Sequence, residues 1–210
     1  MGGLYGNLKL CTAHLNIIPV HVHVEEHQIP PENLEDLNNR LVLAFGGRPR
    51  LAKNILQKVL RQWASRSPEI MSTIKKLVSG AHRCIETIQR KDYKELGTLL
   101  DDYWTLKKAM AGDSGVEPTE VRTIFDTLKR ENIIDGCTLA GAGGGGFMVL
   151  LLCEGKDVDD AKEVLEQSKD VDEHLVTFYS CKVSNEGLES FTSTTSEFQI
   201  QWHMLNVDSK

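Results

Sequence analysis

The sequence predicts an α+β fold, and three observations carry that prediction. Short apolar runs of strand length stand at residues 17–24, 40–45 and 147–153. Between residues 51 and 130, apolar side chains recur at three- and four-residue spacing, the mark of helices with one buried face. These helices are grouped between strands rather than alternating with them one for one, which favours helices packed on an antiparallel sheet. At 210 residues the chain suits one domain with, at most, an appendage.

In chain order, Met1-Gly2-Gly3-Leu4-Tyr5-Gly6 reads as a loop. Ile17–Val24 alternates, with Val20, Val22 and Val24 on one face, and predicts a half-buried strand. His21 and His23 share its other face and His27 follows. Two histidines at i, i+2 suit a metal, but no acidic or cysteine partner stands at a diagnostic spacing, so they are read as solvent-facing. Glu32–Asn39 reads as a polar connection. Arg40–Phe45 is a second strand, ending in Gly46-Gly47-Arg48-Pro49-Arg50, a turn that opens a helix over 51–65. Arginines at a glycine turn before a helix suit an anion at the helix N-terminus, although the same junction is ordinary architecture.

Pro68 starts a helix whose stripe, from Ile70 to Ile88, runs to about Arg90. Asp92 caps another, carrying Tyr93, Leu96, Leu99, Leu100, Tyr103 and Trp104 and ending near Gly112. Pro118 stands where a first helical residue would, before the short face of Val121, Ile124, Phe125 and Leu128. Asn132–Gly136 leads into a glycine loop. After the strand at 147–153, residues 157–169 form an amphipathic helix and residues 175–183 a closing strand. From Ser184 the chain is a polar tail, with Phe198, Ile200 and Trp202 able to pack on the body.

Composition narrows the function classes. Hydrophobic content of 40% and charged content of 26% are those of a soluble globular protein. A net charge of −6 argues against a nucleic-acid partner, because phosphate backbones call for basic stripes. No apolar run is long enough for a transmembrane helix, so no membrane partner is expected. The opening residues lack the pattern of a secretory signal. The five cysteines are widely spaced, odd in number and form no C-x-x-C pair, which suits a reduced, cytoplasmic protein.

The densest signal is Leu139-Ala-Gly-Ala-Gly-Gly-Gly-Gly-Phe147, holding five of the chain's 17 glycines. Glycine loses the most conformational freedom on folding, so such a run implies positive φ or close approach of another group. A turn or linker is the plain alternative, but an apolar strand follows directly. Gly141-Ala142-Gly143-Gly144-Gly145-Gly146 satisfies G-x-G-x-x-G, yet the dinucleotide fingerprint must open a helix, and here a β-type run follows. A Walker loop needs Lys and Ser/Thr where Phe147 and Met148 stand. Gly112-Asp-Ser-Gly115 lies between two helices and reads as a helix-ending turn, not a protease nucleophile. Lys107 and Lys108 are explained by the dipole of the helix they end, unless the fold brings them toward a phosphate.

The glycine block resembles the third signature of the GHMP small-molecule kinases. Arg40–Phe45 followed by Arg50-Leu-Ala-Lys-Asn-Ile-Leu-Gln57 resembles the "TGxxRLAxxxLQ" segment of the fucokinase and heptose-phosphate kinase group within that family. Leu96-Gly-Thr-Leu-Leu100 with Trp104 and Lys107-Lys108, and the opening Gly2-Gly3-Leu4-Tyr5, also fit that group. The resemblance covers residues 2–183 and implies a ferredoxin-like C-terminal domain over 1–183, with residues 1–16 a partial linker from an N-terminal lobe and 184–210 a tail. It implies transfer of the γ-phosphoryl of ATP, with Mg²⁺, to a sugar's anomeric hydroxyl, most specifically that of L-fucose. Gly141, Ala142, Gly143, Gly144, Gly145, Gly146 and Phe147 are carried over as the signature beside substrate and phosphate. Gly47, Arg48 and Arg50, in the family's turn, are carried over to the sugar or phosphate side.

Departures set limits on activity. No Pro-x-x-x-Gly-Leu-x-Ser-Ser phosphate loop occurs here, and the group's acidic Gly-Gly-x-Gln-Asp-Gln segment would fall before residue 1. Ala44-Phe45-Gly46 replaces the usual Tyr-Thr-Gly. The expectation is a C-terminal lobe without its N-terminal partner, inactive alone. Two other readings stay open: a GHMP kinase for galactose, a heptose phosphate or mevalonate, and a non-enzymatic binding module.

Overall fold

The computed structural model describes residues 4–14, 18–46, 53–112, 116–141, 143–171 and 176–188. In chain order the elements are β1 (Leu8–His14), β2 (His21–His27), α1 (Pro31–Arg40), β3 (Leu41–Phe45), α2 (Lys53–Ala64), α3 (Pro68–Arg90), α4 (Tyr93–Ala111), α5 (Thr119–Arg130), β4 (Ile134–Leu139), β5 (Phe147–Leu152), α6 (Val158–Gln167) and β6 (Thr177–Ser180). They fall into two units, one over 29–182 and one built from the chain on either side of it.

In the larger unit, four antiparallel strands lie in the order β4-β5-β3-β6. The sequence β3–helices–β4–β5–α6–β6 with this order is the split β-α-β ferredoxin-like topology. Strand alternation sorts the side chains. One face carries Val42, Ala44, Cys137, Leu139, Met148, Leu150 and Leu152 into a core shared with Val121, Ile124, Phe125 and Leu128 of α5 and Ala161 and Leu165 of α6. Each fully buried leucine there contributes about 2 kcal/mol of transfer free energy. The opposite face presents Phe45, Phe147 and Tyr179.

Helix ends follow the sequence closely. The Asp92 carboxylate accepts from Glu95 N–H at 3.0 Å and caps α4. Asp157 and Asp160 form a reciprocal capping box on α6. Leu60 and Trp63, outer members of the α2 stripe, are exposed.

Three elements depart from the sequence reading. The polar connection at 32–39 is a helix, α1, with Pro31 in its first turn and Arg40 in its last. Its buried Asn33 donates from Nδ2 to the carbonyls of Ile88 and Gln89 at 2.9 Å each, satisfying the open end of α3. Asn132–Gly136 does not simply lead into the loop, because a strand, β4, begins at Ile134. Here α4 crosses so closely that a Cβ on Gly136 would lie 2.0 Å from the Gly97 carbonyl oxygen. A bulge sits between Ile134 and Gly136. Asp135 pairs with Arg40 at 3.5 Å, and Arg40 Nε donates to the Leu152 carbonyl at 3.2 Å.

The third departure, β1, lies in the smaller unit. It pairs antiparallel with β2, from Leu8 opposite His27 to His14 opposite His21. The returning chain runs beside the first residues: Asn7 N–H donates to the Asn185 carbonyl and Leu188 N–H to the Leu4 carbonyl, both at 3.3 Å. The predicted strand over 17–24 is thus β2, four residues later, and its burial is slighter than expected. Val20 and Val22 are exposed, as a two-stranded hairpin gives little to bury against.

Candidate functional site

The glycine block is the connection of a hairpin. Leu139 closes β4, Phe147 opens β5, and Ala140 N–H donates to the Phe147 carbonyl at 2.8 Å. Gly141, Gly143, Gly144, Gly145 and Gly146 all have positive φ, between 71° and 124°. That accounts for the glycines conformationally, since only glycine adopts such angles in succession without penalty. The loop passes from strand to strand, so no helix N-terminus faces it as a dinucleotide fingerprint requires.

Close approach accounts for one of them as well. A Cβ on Gly143 would lie 2.5 Å from Val116 Cγ1 and 3.1 Å from the Trp104 ring. Beside it, Gly144 N–H donates to the Val116 carbonyl. Gly141 and Gly146, by contrast, open onto space: a Cβ on either would meet nothing within 4 Å. Gly46 N–H donates to the Gly146 carbonyl at 3.2 Å, so the end of β3 is tied to the far side of the loop. Gly47, Arg48 and Arg50, which follow, and Ala142 within the loop lie outside the described residues. Phe147 is 40% exposed, with its ring 5.2 Å from Phe45 and 5.4 Å from Tyr179.

A charged network supports the loop from below. The Glu117 carboxylate, 5% exposed, accepts from Trp104 Nε1, from Lys108 Nζ at 3.1 Å and from Arg122 Nε at 3.0 Å. Burial opposes its charge, but the hydrogen bonds from Trp104, Lys108 and Arg122 outweigh burial and hold its carboxyl below the ordinary value. A cavity of about 200 Å³ opens beside this network, lined by Trp104, Lys108, Glu117, Arg122, Lys129 and Cys137 among others. At its base Asp101 accepts from Cys137 N–H at 2.9 Å and pairs with Lys129 at 2.6 Å. Burial first, then the Asp101 charge, pushes the Cys137 thiol up to about 12, so this sulfur is no nucleophile.

The helix-dipole explanation for Lys107 and Lys108 is incomplete. Lys108 serves Glu117, whereas Lys107 reaches the hairpin: its ammonium donates to the Gly141 carbonyl. It also lies 5.1 Å from the centre of the Tyr103 ring and 5.6 Å from that of Trp104. Sequence reasoning left Lys107 and Glu117 out of the site. The available signal was Trp104 followed at i+3 and i+4 by two lysines, which sets all three on one flank of α4.

Comparison with known proteins shows what this arrangement is similar to. Residues 84–171, from late α3 through the hairpin and α6, match the family model described as GHMP kinases C terminal. Over these residues the chain is similar to the C-terminal domain of the GHMP kinases. Among particular proteins, it is 29% identical over 183 residues to the bifunctional fucokinase/GDP-fucose pyrophosphorylase of Arabidopsis thaliana, covering 87% of this chain and 17% of that one. It is 32% identical over 110 residues to the L-fucokinase/L-fucose-1-P guanylyltransferase of Bacteroides fragilis, covering 52% of this chain and 11% of that one. The chain therefore spans under a fifth of the length of these curated relatives. In fold it is similar to L. major mevalonate kinase, with a TM-score of 0.57 at 19% identity over 86% of this chain and 50% of that one. Lactococcus lactis galactokinase gives 0.55 at 13% identity over 86% and 52%.

Proposed function

We propose that this chain is the C-terminal lobe of an ATP-dependent sugar kinase that converts L-fucose to L-fucose 1-phosphate together with an N-terminal lobe. The observation that carries this reading is similarity over 183 residues to a protein named for fucokinase activity, spanning the glycine hairpin and its supports. In this reading the hairpin from Gly141 to Phe147 borders the reacting phosphate and sugar, with Gly47, Arg48 and Arg50 on the sugar or phosphate side. When bound, ATP supplies the phosphoryl group and Mg²⁺ offsets its charge.

The hairpin fits a phosphate neighbour in shape. Its outer positions carry no side chain and face open space, so a ligand or a loop of the other lobe can approach the backbone. Phe147, tilted against Phe45 and edge-on to Tyr179, gives one side an apolar wall. Among the described residues no three His, Cys, Asp or Glu side chains group to hold a metal, and Mg²⁺ ordinarily rides on substrate phosphates and waters with one or two carboxylates rather than in an all-protein cage.

The reading is tested by assaying the 210-residue chain with ATP, Mg²⁺ and L-fucose, alone and fused behind a GHMP kinase N-terminal lobe. The chain alone should give no L-fucose 1-phosphate above buffer, and the fusion should give it in preference to phosphorylated galactose, heptose phosphate or mevalonate. Turnover by the chain alone overturns the two-lobe reading. Preference for another acceptor overturns the assignment of fucose, and no turnover with any acceptor favours a binding module.

A further inference from the structure

The cations below the hairpin differ in one respect. Lys108 and Arg122 share the Glu117 carboxylate, and Lys129 pairs with Asp101. Lys107 has no carboxylate partner among the described residues. Its ammonium rests on a carbonyl, that of Gly141, and against the faces of Tyr103 and Trp104. Carbonyl and ring contacts orient an ammonium without neutralising it. It is partly buried, and burial holds its pKa below the ordinary lysine value, the condition in which an anion is a favourable neighbour. The carbonyl it holds belongs to a glycine whose outer side is open.

We propose that Lys107 is the counter-charge of a phosphoryl-binding site at the mouth of the glycine hairpin, where its uncompensated ammonium meets the phosphoryl group of a nucleotide or a sugar phosphate. The role rests on the kinase reading for its biological sense but not for its chemistry. Trp104 serves the site twice, packing under Gly143 and flanking the lysine. The Glu117 network fixes Trp104 and Lys108, so that Lys107 alone on this turn of α4 keeps its charge for a ligand.

The test follows hairpin amide resonances of the ¹⁵N-labelled 210-residue chain during titration with inorganic tripolyphosphate and, separately, L-fucose 1-phosphate. Gly141, Gly143–Gly146 and Phe147 should shift together and saturate. The stronger response to tripolyphosphate assigns the site to the nucleotide, and the stronger response to L-fucose 1-phosphate assigns it to the sugar phosphate. Lys107→Met should weaken binding by about tenfold or more, the effect of losing a charge-assisted contact, while Lys107→Arg keeps it within about threefold. Lys107→Gln retains a donor for the Gly141 carbonyl without the charge and should bind as weakly as Lys107→Met, with the unfolding midpoint of the wild type.

No hairpin shift with either anion overturns the proposal, as does wild-type affinity in Lys107→Gln or an arginine variant as weak as the methionine one. If the two-lobe fusion phosphorylates nothing while the hairpin binds tripolyphosphate through Lys107, the kinase reading falls and this site stands. If the fusion is active and Lys107→Gln leaves its kcat and its KM for ATP unchanged, this site falls and the kinase reading stands.

Discussion

Two glycines of one loop show how differently single residues are constrained. Gly143→Ala meets both penalties, a φ of +89° and a Cβ 2.5 Å from Val116. It should destabilise the protein by about 3 kcal/mol, combining left-handed strain with overpacking. Gly141→Ala meets only the first, with a φ of +71° and open space, and should cost about 1 kcal/mol. Urea unfolding midpoints of the two variants check the ranking. Glu117→Gln should cost about 2 kcal/mol, less than a fully buried pair because Lys108 and Arg122 reach water. Because the folded Glu117 carboxyl titrates below its ordinary value of 4.5, its contribution is full above that value and drains away as pH falls through the folded one. The stability gap between wild type and Glu117→Gln, followed by urea unfolding from neutral to acid pH, should therefore narrow as pH drops. A gap that widens in acid would contradict the network. Thiol alkylation gives an independent reading of burial: exposed Cys11 should react well before Cys137, whose thiol burial pushes to about 12.

At the level of elements, the tightest joint is α4 against β4. Gly136→Ala would place a Cβ on the Gly97 carbonyl, an overlap that backbone alone must relieve. The expected loss is about 3 kcal/mol or more, with the soluble yield and thermal midpoint as readouts. The same joint shows why the sequence was only partly legible. Helices α3 and α4 were readable to within a residue or so, because Pro68, Asp92 and long apolar stripes mark them in the chain itself. β4 was not, because Ile134-Asp-Gly-Cys-Thr-Leu139 contains two residue types that strands disfavour. Asp135 is there for Arg40, and Gly136 for the approach of α4, both distant in sequence. α1 was hidden for a related reason. Its apolar content is two leucines, and its buried Asn33 answers the carbonyls of another helix. The glycine hairpin was recognised, but Lys107 was not, since its contact with Gly141 joins residues 34 apart along the chain.

On the scale of the whole molecule, the two units differ in how much holds them. The larger has a four-stranded sheet with a continuous core. The smaller rests on a two-stranded hairpin and a short returning segment, with Leu4, Tyr5, Val20, Val22 and Leu188 exposed. Amide hydrogen exchange should therefore be fast throughout β1 and β2 and slow in β5 and β4, since isolated hairpins are marginal in water. Protection in β1 equal to that in β5 would contradict this ranking.

The Leu188–Leu4 and Asn185–Asn7 hydrogen bonds also set an order of events during synthesis. The small unit begins ahead of Ile29, yet its last partner segment emerges only after everything from Ile29 to Lys182 has left the ribosome. Its completion requires closing a loop whose contour is the entire larger unit. For a disordered loop the entropy of closure rises with length, whereas a body already folded shortens the distance to be searched. On a ribosome that releases residues one at a time, the sheet carrying the glycine hairpin therefore has the opportunity to form first, and the chain's two flanking segments join only behind it.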